Sequence, residues 1–243
     1  MTRSTTSVAS TFGTFTTGDG ASLAYRVWMP AGGTDKALIL FHRGHEHGGR
    51  WQHVVDELGL DDVAVFAWDA RGHGRSAGER GTADSVATLV KDADTFVAHI
   101  AGQYGIRVEN MIVAAHSVGA VIAAAWVHDF APPLRGLVLA TPAFRVKLYV
   151  PGAVPLLRLR QRLLGDGYVK SYVKARLLTH DHVEAERYAG DPLIFRQIAV
   201  NMLLDLHDTS RRLVADQADA RLPRLLPRDL SRARPRCSHC GDA

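Results

Sequence analysis

Between residues 36 and 140 the chain repeats one arrangement: a short apolar run, a glycine-containing loop, and then apolar positions recurring every three or four residues. The apolar runs are Lys36-Ala-Leu-Ile-Leu-Phe41, Asp62-Val-Ala-Val-Phe-Ala-Trp68, Met111 to Ala115 and Gly136-Leu-Val-Leu-Ala140. Their length and uninterrupted hydrophobicity predict strands buried on both faces. Between them, Trp51, Val54, Val55 and Leu58 share one helical face, and Val86, Leu89, Val90, Ala93, Phe96, Val97 and Ile100 share another that ends near Gly102 and Gly105. Regular strand–helix alternation predicts an α/β protein with a mostly parallel sheet covered by helices on both faces. Upstream, Thr14-Phe-Thr-Thr, a Gly-Asp-Gly turn at 18–20 and Leu23 to Met29 predict an antiparallel hairpin closed by Pro30.

The pattern changes at Val146. Leu156, Leu157, Leu159, Leu163 and Leu164 are interleaved with arginine, Val169, Tyr172, Val173 and Leu177 follow at helical spacing, and Ala199, Met202, Leu203, Leu206 and Leu213 form a last helical face. A strand-free helical stretch after a parallel strand predicts a cap over the sheet's carboxyl edge, where ligands bind in such folds. Residues 221–243 contain no Val, Ile, Phe, Tyr or Trp and carry Pro223, Pro227 and Pro235, so no central strand can form there. The expected plan is a disordered start at 1–11, an α/β core at 12–145, a helical cap at 146–220 and a disordered Arg/Pro-rich tail at 221–243.

Composition changes this picture little. A chain of 243 residues, 47% hydrophobic and 22% charged, suits one soluble α/β domain. The net charge of +4 lies entirely in residues 221–243, where six arginines face Asp229 and Asp242, so residues 1–220 are formally neutral and offer nucleic acid no basic stripe. There is neither a signal-peptide h-region nor a run of 18 uncharged apolar residues, and a cytoplasmic location is expected. Cys237 and Cys240 lie together in the tail, without the second pair a zinc site needs. His42, His45 and His47 cluster, yet a metallo-hydrolase pattern would need Asp and His where this chain has Gly49 and Arg50, so the expectation is no metal and no cofactor.

Ser117 is the residue that carries chemistry. In Ala115-His-Ser-Val-Gly119 an apolar strand passes directly into an alanine-rich helix, which forces a sharp turn and lifts the serine above the sheet edge. The flanking positions Ala115 and Gly119 are small, as they must be where strand and helix nearly touch. A serine that merely caps the helix is the alternative reading of five residues alone.

Together with His42-Arg-Gly-His-Glu-His-Gly-Gly-Arg-Trp51 and Asp69-Ala-Arg-Gly-His-Gly-Arg-Ser-Ala-Gly-Glu-Arg80, this motif resembles the α/β-hydrolase branch of monoacylglycerol lipases, lysophospholipases and serine-aminopeptidase-like (S33) hydrolases. More narrowly, the chain resembles the hydrolase half of bacterial proteins that join such a domain to a methyltransferase. The resemblance implies Ser117 as nucleophile, the backbone N–H groups of Gly44 and Val118 as the oxyanion hole, and a small-molecule ester or lipid as substrate, with the cap available for transient contact with a membrane surface. The family usually has Gly where this chain has Arg43 and Ala115. The 69–76 loop, including His73, is expected to be structural.

The acid and base of a serine triad are not identifiable. In this fold they follow two strands beyond the cap, which are expected to be missing here, as from a truncated or frame-shifted copy, leaving the last strand as an open edge. Asp229 and His239 have the right order, but only nine residues lie between them. His180, Asp181, His182, His207 and Asp208 are read as turn and surface residues. The alternative to a serine hydrolase is therefore a catalytically impaired remnant or ligand-binding module.

Overall fold

A computed structural model describes residues 8–145, 152–170, 175 and 178–218. Each apolar run forms its strand. The hairpin is β1 (Thr11–Thr16) and β2 (Ser22–Trp28), so regular structure begins one residue before the expected boundary. There follow β3 (Ala37–Phe41), α1 (Gln52–Leu58), β4 (Ala64–Trp68), α2 (Val86–Tyr104), β5 (Met111–His116), α3 (Val118–Phe130) and β6 (Gly136–Ala140). The sheet order is β1-β2-β4-β3-β5-β6. The hairpin joins it antiparallel, and β4, β3, β5 and β6 run parallel.

Alternation along each central strand divides the core in two. Ile39, Phe41, Phe66 and Trp68 face α2 and α3, where Phe96, Ile100 and Trp126 cover them. Leu40, Val65 and Ala67 point the other way, onto Val55 of α1 and Trp28. Trp68 stacks on Phe41 at 4.5 Å and lies 6.0 Å from Phe96, so aromatic contacts join two strands to α2 beneath the carboxyl edge. Ser85 caps α2 by accepting from the Thr88 N–H at 3.1 Å, and Gly105, at φ 66, ends the helix. Among the described residues β6 pairs only with β5, and its Val138 is 54% exposed.

The cap comprises α4 (Ala153–Leu164), β7 (Tyr168–Lys170), α5 (His182–Gly190), β8 (Gln197–Ala199) and α6 (Val200–Ala218). It is not the strand-free segment expected: Tyr168, Val169 and Lys170 pair antiparallel with Ala199, Ile198 and Gln197. Each strand is three residues long and its partner lies a helix away, so no local periodicity announces the pair. The Ala199 N–H donates to the Gly81 carbonyl at 3.1 Å, which fastens this small sheet to the core. Val146, Tyr172, Val173 and Leu177 lie outside the described residues, as do Asp229, Cys237, His239, Cys240 and the whole segment on which the missing strands were expected. No helix among the described residues is long and apolar enough to cross a membrane.

Candidate active site

Ser117 sits between β5 and α3 at φ 56 and ψ −113, a left-handed backbone that a non-glycine residue adopts only under strain. Neighbouring backbone holds it there. The Ser117 N–H donates to the Ala140 carbonyl at 3.0 Å, and the Ser117 carbonyl accepts from the N–H groups of Ala143 at 3.2 Å and Val121 at 3.3 Å. The turn is thus tied to the end of β6 as well as to its own helix. A Cβ on Gly119 would lie 2.3 Å from the His42 carbonyl oxygen, which is why this position must be glycine. Ala115, only 1% exposed, fits the core opposite Phe41.

The loop after β3 packs against this turn. A Cβ on Gly44 would stand 3.0 Å from Val118 Cγ2, so Gly44 and the first residue of α3 are side by side. The Val118 N–H, in the first turn of α3, has no intrahelical acceptor and is available to an anion. His42 fixes the base of the loop: Nδ1 donates to the Arg43 carbonyl at 2.8 Å and Nε2 accepts from the Ala70 N–H at 3.0 Å. Those partners require a neutral ring protonated at Nδ1, and burial pushes its pKa down to about 4. His73 donates from Nδ1 to the Arg71 carbonyl at 2.9 Å, and burial together with the neighbouring His42 lowers it to about 3.

The other two histidines of the loop are also committed. His45, at φ 70, lies against the backbone of Phe195 and Gln197 in the cap, and burial lowers its pKa. His47 accepts the Gly49 N–H on Nδ1 at 3.1 Å and donates from Nε2 to Asp191 Oδ2 at 2.9 Å. Burial opposes ionisation of Asp191, but His47 and the Leu193 N–H hold its carboxyl below the usual range. Among the described residues no group of three or more His, Cys, Asp or Glu could hold a metal ion.

Asp69 supports the same loop from the end of β4. It is 4% exposed, accepts the Gly48 N–H on Oδ1 at 2.6 Å and the Arg75 N–H on Oδ2 at 2.8 Å, and leaves no room for a side chain at Gly74. The 69–76 loop therefore supports the site structurally, with Asp69 turned to backbone. Asp69→Asn keeps the shape but replaces one acceptor oxygen by a donor facing an N–H. Urea denaturation is expected to show a loss of about 2 kcal/mol, from one charge-assisted hydrogen bond and one buried mismatch. An unchanged midpoint would remove Asp69 from this role.

A cavity of about 360 Å³ opens beside the turn, lined among others by Arg43, Glu46, Arg50, His116 and Tyr188. Arg43 Nη2 lies 2.6 Å from Glu46 Oε1, and Arg50 Nη2 is 3.3 Å from Glu184 Oε2. The guanidinium groups of Arg43, Arg50 and Arg196 lie 5.7–5.9 Å from the Tyr188 ring centre. His116 shares a hydrogen bond of 3.0 Å with Thr141 Oγ1, and burial, then the charge of Arg43, lowers its pKa. Paired cations and anions around an aromatic ring suit a polar, uncharged group better than a bare ion. A second, smaller and largely apolar cavity of about 60 Å³ lies between Gly44, Val118, Ile122, Trp68, Ile198 and Met202.

The structure thus brings together Ser117, Gly44 and Val118, and Arg43 turns toward Glu46 without parting Gly44 from Val118. No described imidazole is hydrogen-bonded to Ser117 Oγ. Asp181 caps α5 by accepting from the Val183 and Glu184 N–H groups, Asp208 pairs with Arg158 on the surface, and His180 and His182 are exposed. Glu46 and Arg50 stood inside a motif already singled out, and their role in the cavity wall was overlooked there. Tyr188 and Asp191 had no sequence signal, since only the fold of the cap brings them to the β3 loop.

The family model described as Serine aminopeptidase, S33 matches residues 32–227. The Escherichia coli K12 protein YnbC is 54% identical over 86% of this chain, which corresponds to 36% of that protein. Human monoglyceride lipase is 32% identical over 73% of this chain and 58% of its own length. The chain therefore spans well under two thirds of either relative. Among solved structures, a monoacylglycerol lipase from Paleococcus ferrophilus superposes with a TM-score of 0.64 at 23% identity, over 84% of this chain and 71% of that one.

Proposed function

Since the chain belongs to the serine aminopeptidase S33 family of α/β-hydrolases, we propose that it is a serine hydrolase of lipid esters, of the monoacylglycerol lipase or lysophospholipase kind, acting through an acyl-enzyme on Ser117. The observation that carries this reading is the strained backbone of Ser117 beside Gly44 and Val118. A turn that costs about 1–3 kcal/mol and is held from three sides is retained where a hydroxyl must stand clear of the sheet.

In the proposed reaction Ser117 Oγ forms a bond to the ester carbonyl carbon as its proton leaves. The N–H groups of Gly44 and Val118 hold the resulting oxyanion, the ester C–O bond breaks, and the alcohol departs with a proton. Water then releases the acid by the same path. The charged part of the cavity wall, at Arg43, Glu46 and Arg50, suits the alcohol portion, because its groups can both donate to and accept from hydroxyls, while Trp51, Val54 and Leu178 make much of the remaining wall apolar. The relatives named as monoglyceride or monoacylglycerol lipases support a lipid ester as substrate. The imidazole that takes the Ser117 proton, and its carboxylate, are assigned to no described residue.

A fluorophosphonate probe reacts with an activated serine and spares an ordinary one. Intact protein is expected to gain one probe adduct, which peptide mass mapping places on Ser117. An unlabelled Ser117 in folded protein would instead make this chain the catalytically impaired, ligand-binding form.

A further inference from the structure

Gly44 stands between two histidines of its loop, and each is fixed to a different part of the molecule. On one side, His42 accepts the Ala70 N–H of the core. On the other, His47 reaches the cap: its Nε2 donates to Asp191 Oδ2 at 2.9 Å, with 7% of one side chain and 17% of the other exposed. Asp191 follows directly on α5, and its carboxylate is set by its own turn. Oδ1 accepts the Leu193 N–H at 2.9 Å, and the Asp191 carbonyl accepts the Ile194 N–H at 3.2 Å.

The other ring nitrogen decides what this contact does. His47 Nδ1 accepts the Gly49 N–H at 3.1 Å and so caps the helical turn Gly48–Trp51. A neutral imidazole has one donor and one acceptor, so Nδ1 can accept only while the ring proton sits on Nε2. A carboxylate facing Nε2 holds it there. Asp191 thus acts through His47 on the backbone of the loop. The Arg50 N–H, which donates to the His47 carbonyl at 3.1 Å, belongs to the same ordered turn. His45 and Glu46 alone separate His47 from Gly44 in the chain.

We propose that Asp191 is a positioning residue for the oxyanion hole: by keeping the His47 proton on Nε2, it fixes the loop that presents the Gly44 N–H. The kinetic side of this role rests on the serine-hydrolase reading, whereas the tautomer of His47 does not. Fastening the cap is the task of other contacts. The Ala199 N–H on the Gly81 carbonyl, and Asn201 Nδ2 on the Ala83 carbonyl at 2.9 Å, join it to the core away from the loop. Asp191→Ala should therefore leave the cap seated and act on the loop.

The test is Asp191→Ala in the full chain, read by long-range proton–nitrogen NMR of His47 and by steady-state hydrolysis of a p-nitrophenyl ester. At about pH 7.5 the parent is expected to show the Nε2–H form alone and the variant a mixture of both tautomers. kcat is expected to fall about ten- to hundredfold with KM within about twofold, because the oxyanion exists only in the transition state. Asparagine offers an oxygen acceptor that needs no tautomer, so adding His47→Asn to Asp191→Ala is expected to restore kcat to within about threefold of the parent. An unchanged tautomer in Asp191→Ala, or an unchanged kcat, would overturn the proposal. So would a loss carried mainly by KM, or one that His47→Asn fails to restore, since either would leave Asp191 a structural tie only. A parent that hydrolyses no ester and takes no fluorophosphonate would refute the serine-hydrolase reading separately, and the His47 tautomer would still confirm or overturn the hold of Asp191 on the loop.

Discussion

Ser117→Ala is expected to lower the hydrolysis of a p-nitrophenyl ester by about a millionfold relative to the parent, because nucleophile, base and oxyanion donors act as one unit. The fold should survive, since the hydroxyl has no hydrogen-bond partner among the described residues and the tie points of the turn are all backbone. Ser117→Gly separates chemistry from strain. It loses the same activity, but glycine adopts φ 56 without a Cβ penalty, so stability should rise by about 1–2 kcal/mol. For a domain of this size that is a rise in melting temperature of about 4 °C. Steady-state kinetics and a thermal melt on the parent and both variants read the two effects together. Equal hydrolysis by Ser117→Ala would dispose of the serine-hydrolase reading for this chain, and a lower melting temperature for Ser117→Gly would mean that the turn is not strained.

That combination of strain and close approach is why so much of this site can be seen in the sequence. Gly119, two residues from the serine, is fixed by the His42 carbonyl, and Gly44, in the distant β3 loop, packs on Val118, so each steric demand shows as a small residue inside a glycine-bearing motif. The sheet is legible for a similar reason. Strands β3 and β4 are covered on both faces and β5 nearly so, and continuous apolar runs are their signature, whereas β6 carries the same kind of run with no residue buried.

The cap is another matter. β7 and β8 are three residues each, Val169 fits a helical spacing as well as a strand, and only the register with Ile198 decides between them. Tyr188 and Asp191 reach the β3 loop through the path of the cap, which no periodicity encodes. Arg43 illustrates the limit within a motif. Its size beside the oxyanion loop was visible, but its partner Glu46, which draws the guanidinium aside, follows from coordinates.

The same loop should make the protein sensitive to mild acid. An imidazole in an unfolded chain takes up a proton near pH 6.5, whereas His42 in the folded protein does so only near pH 4. Between those values the unfolded state carries a proton that the folded state does not, so lowering the pH favours unfolding. The stabilisation is complete above pH 6.5, drains as the pH falls, and amounts to about 3 kcal/mol by pH 4 at about 1.4 kcal/mol per unit. His73 acts in the same direction and extends the window toward pH 3. Its ring keeps part of its surface in solvent and its shift includes the charge of His42, so the smaller share is assigned to it. Asp191, held below its usual range, responds only at lower pH and leaves the interval from 6.5 to 4.5 to the imidazoles. Urea denaturation should therefore give a free energy of unfolding lower by about 2 kcal/mol or more at pH 5 than at pH 7. In His42→Asn, less stable at both values, the pH dependence should shrink by about 2 kcal/mol. An equal slope in parent and variant would show that His42 is not the group titrating. The consequence reaches the site, because a protonated His42 cannot accept the Ala70 N–H, and the loop that carries Gly44 then loses one of its links to the chain after β4, keeping that of Gly48 to Asp69.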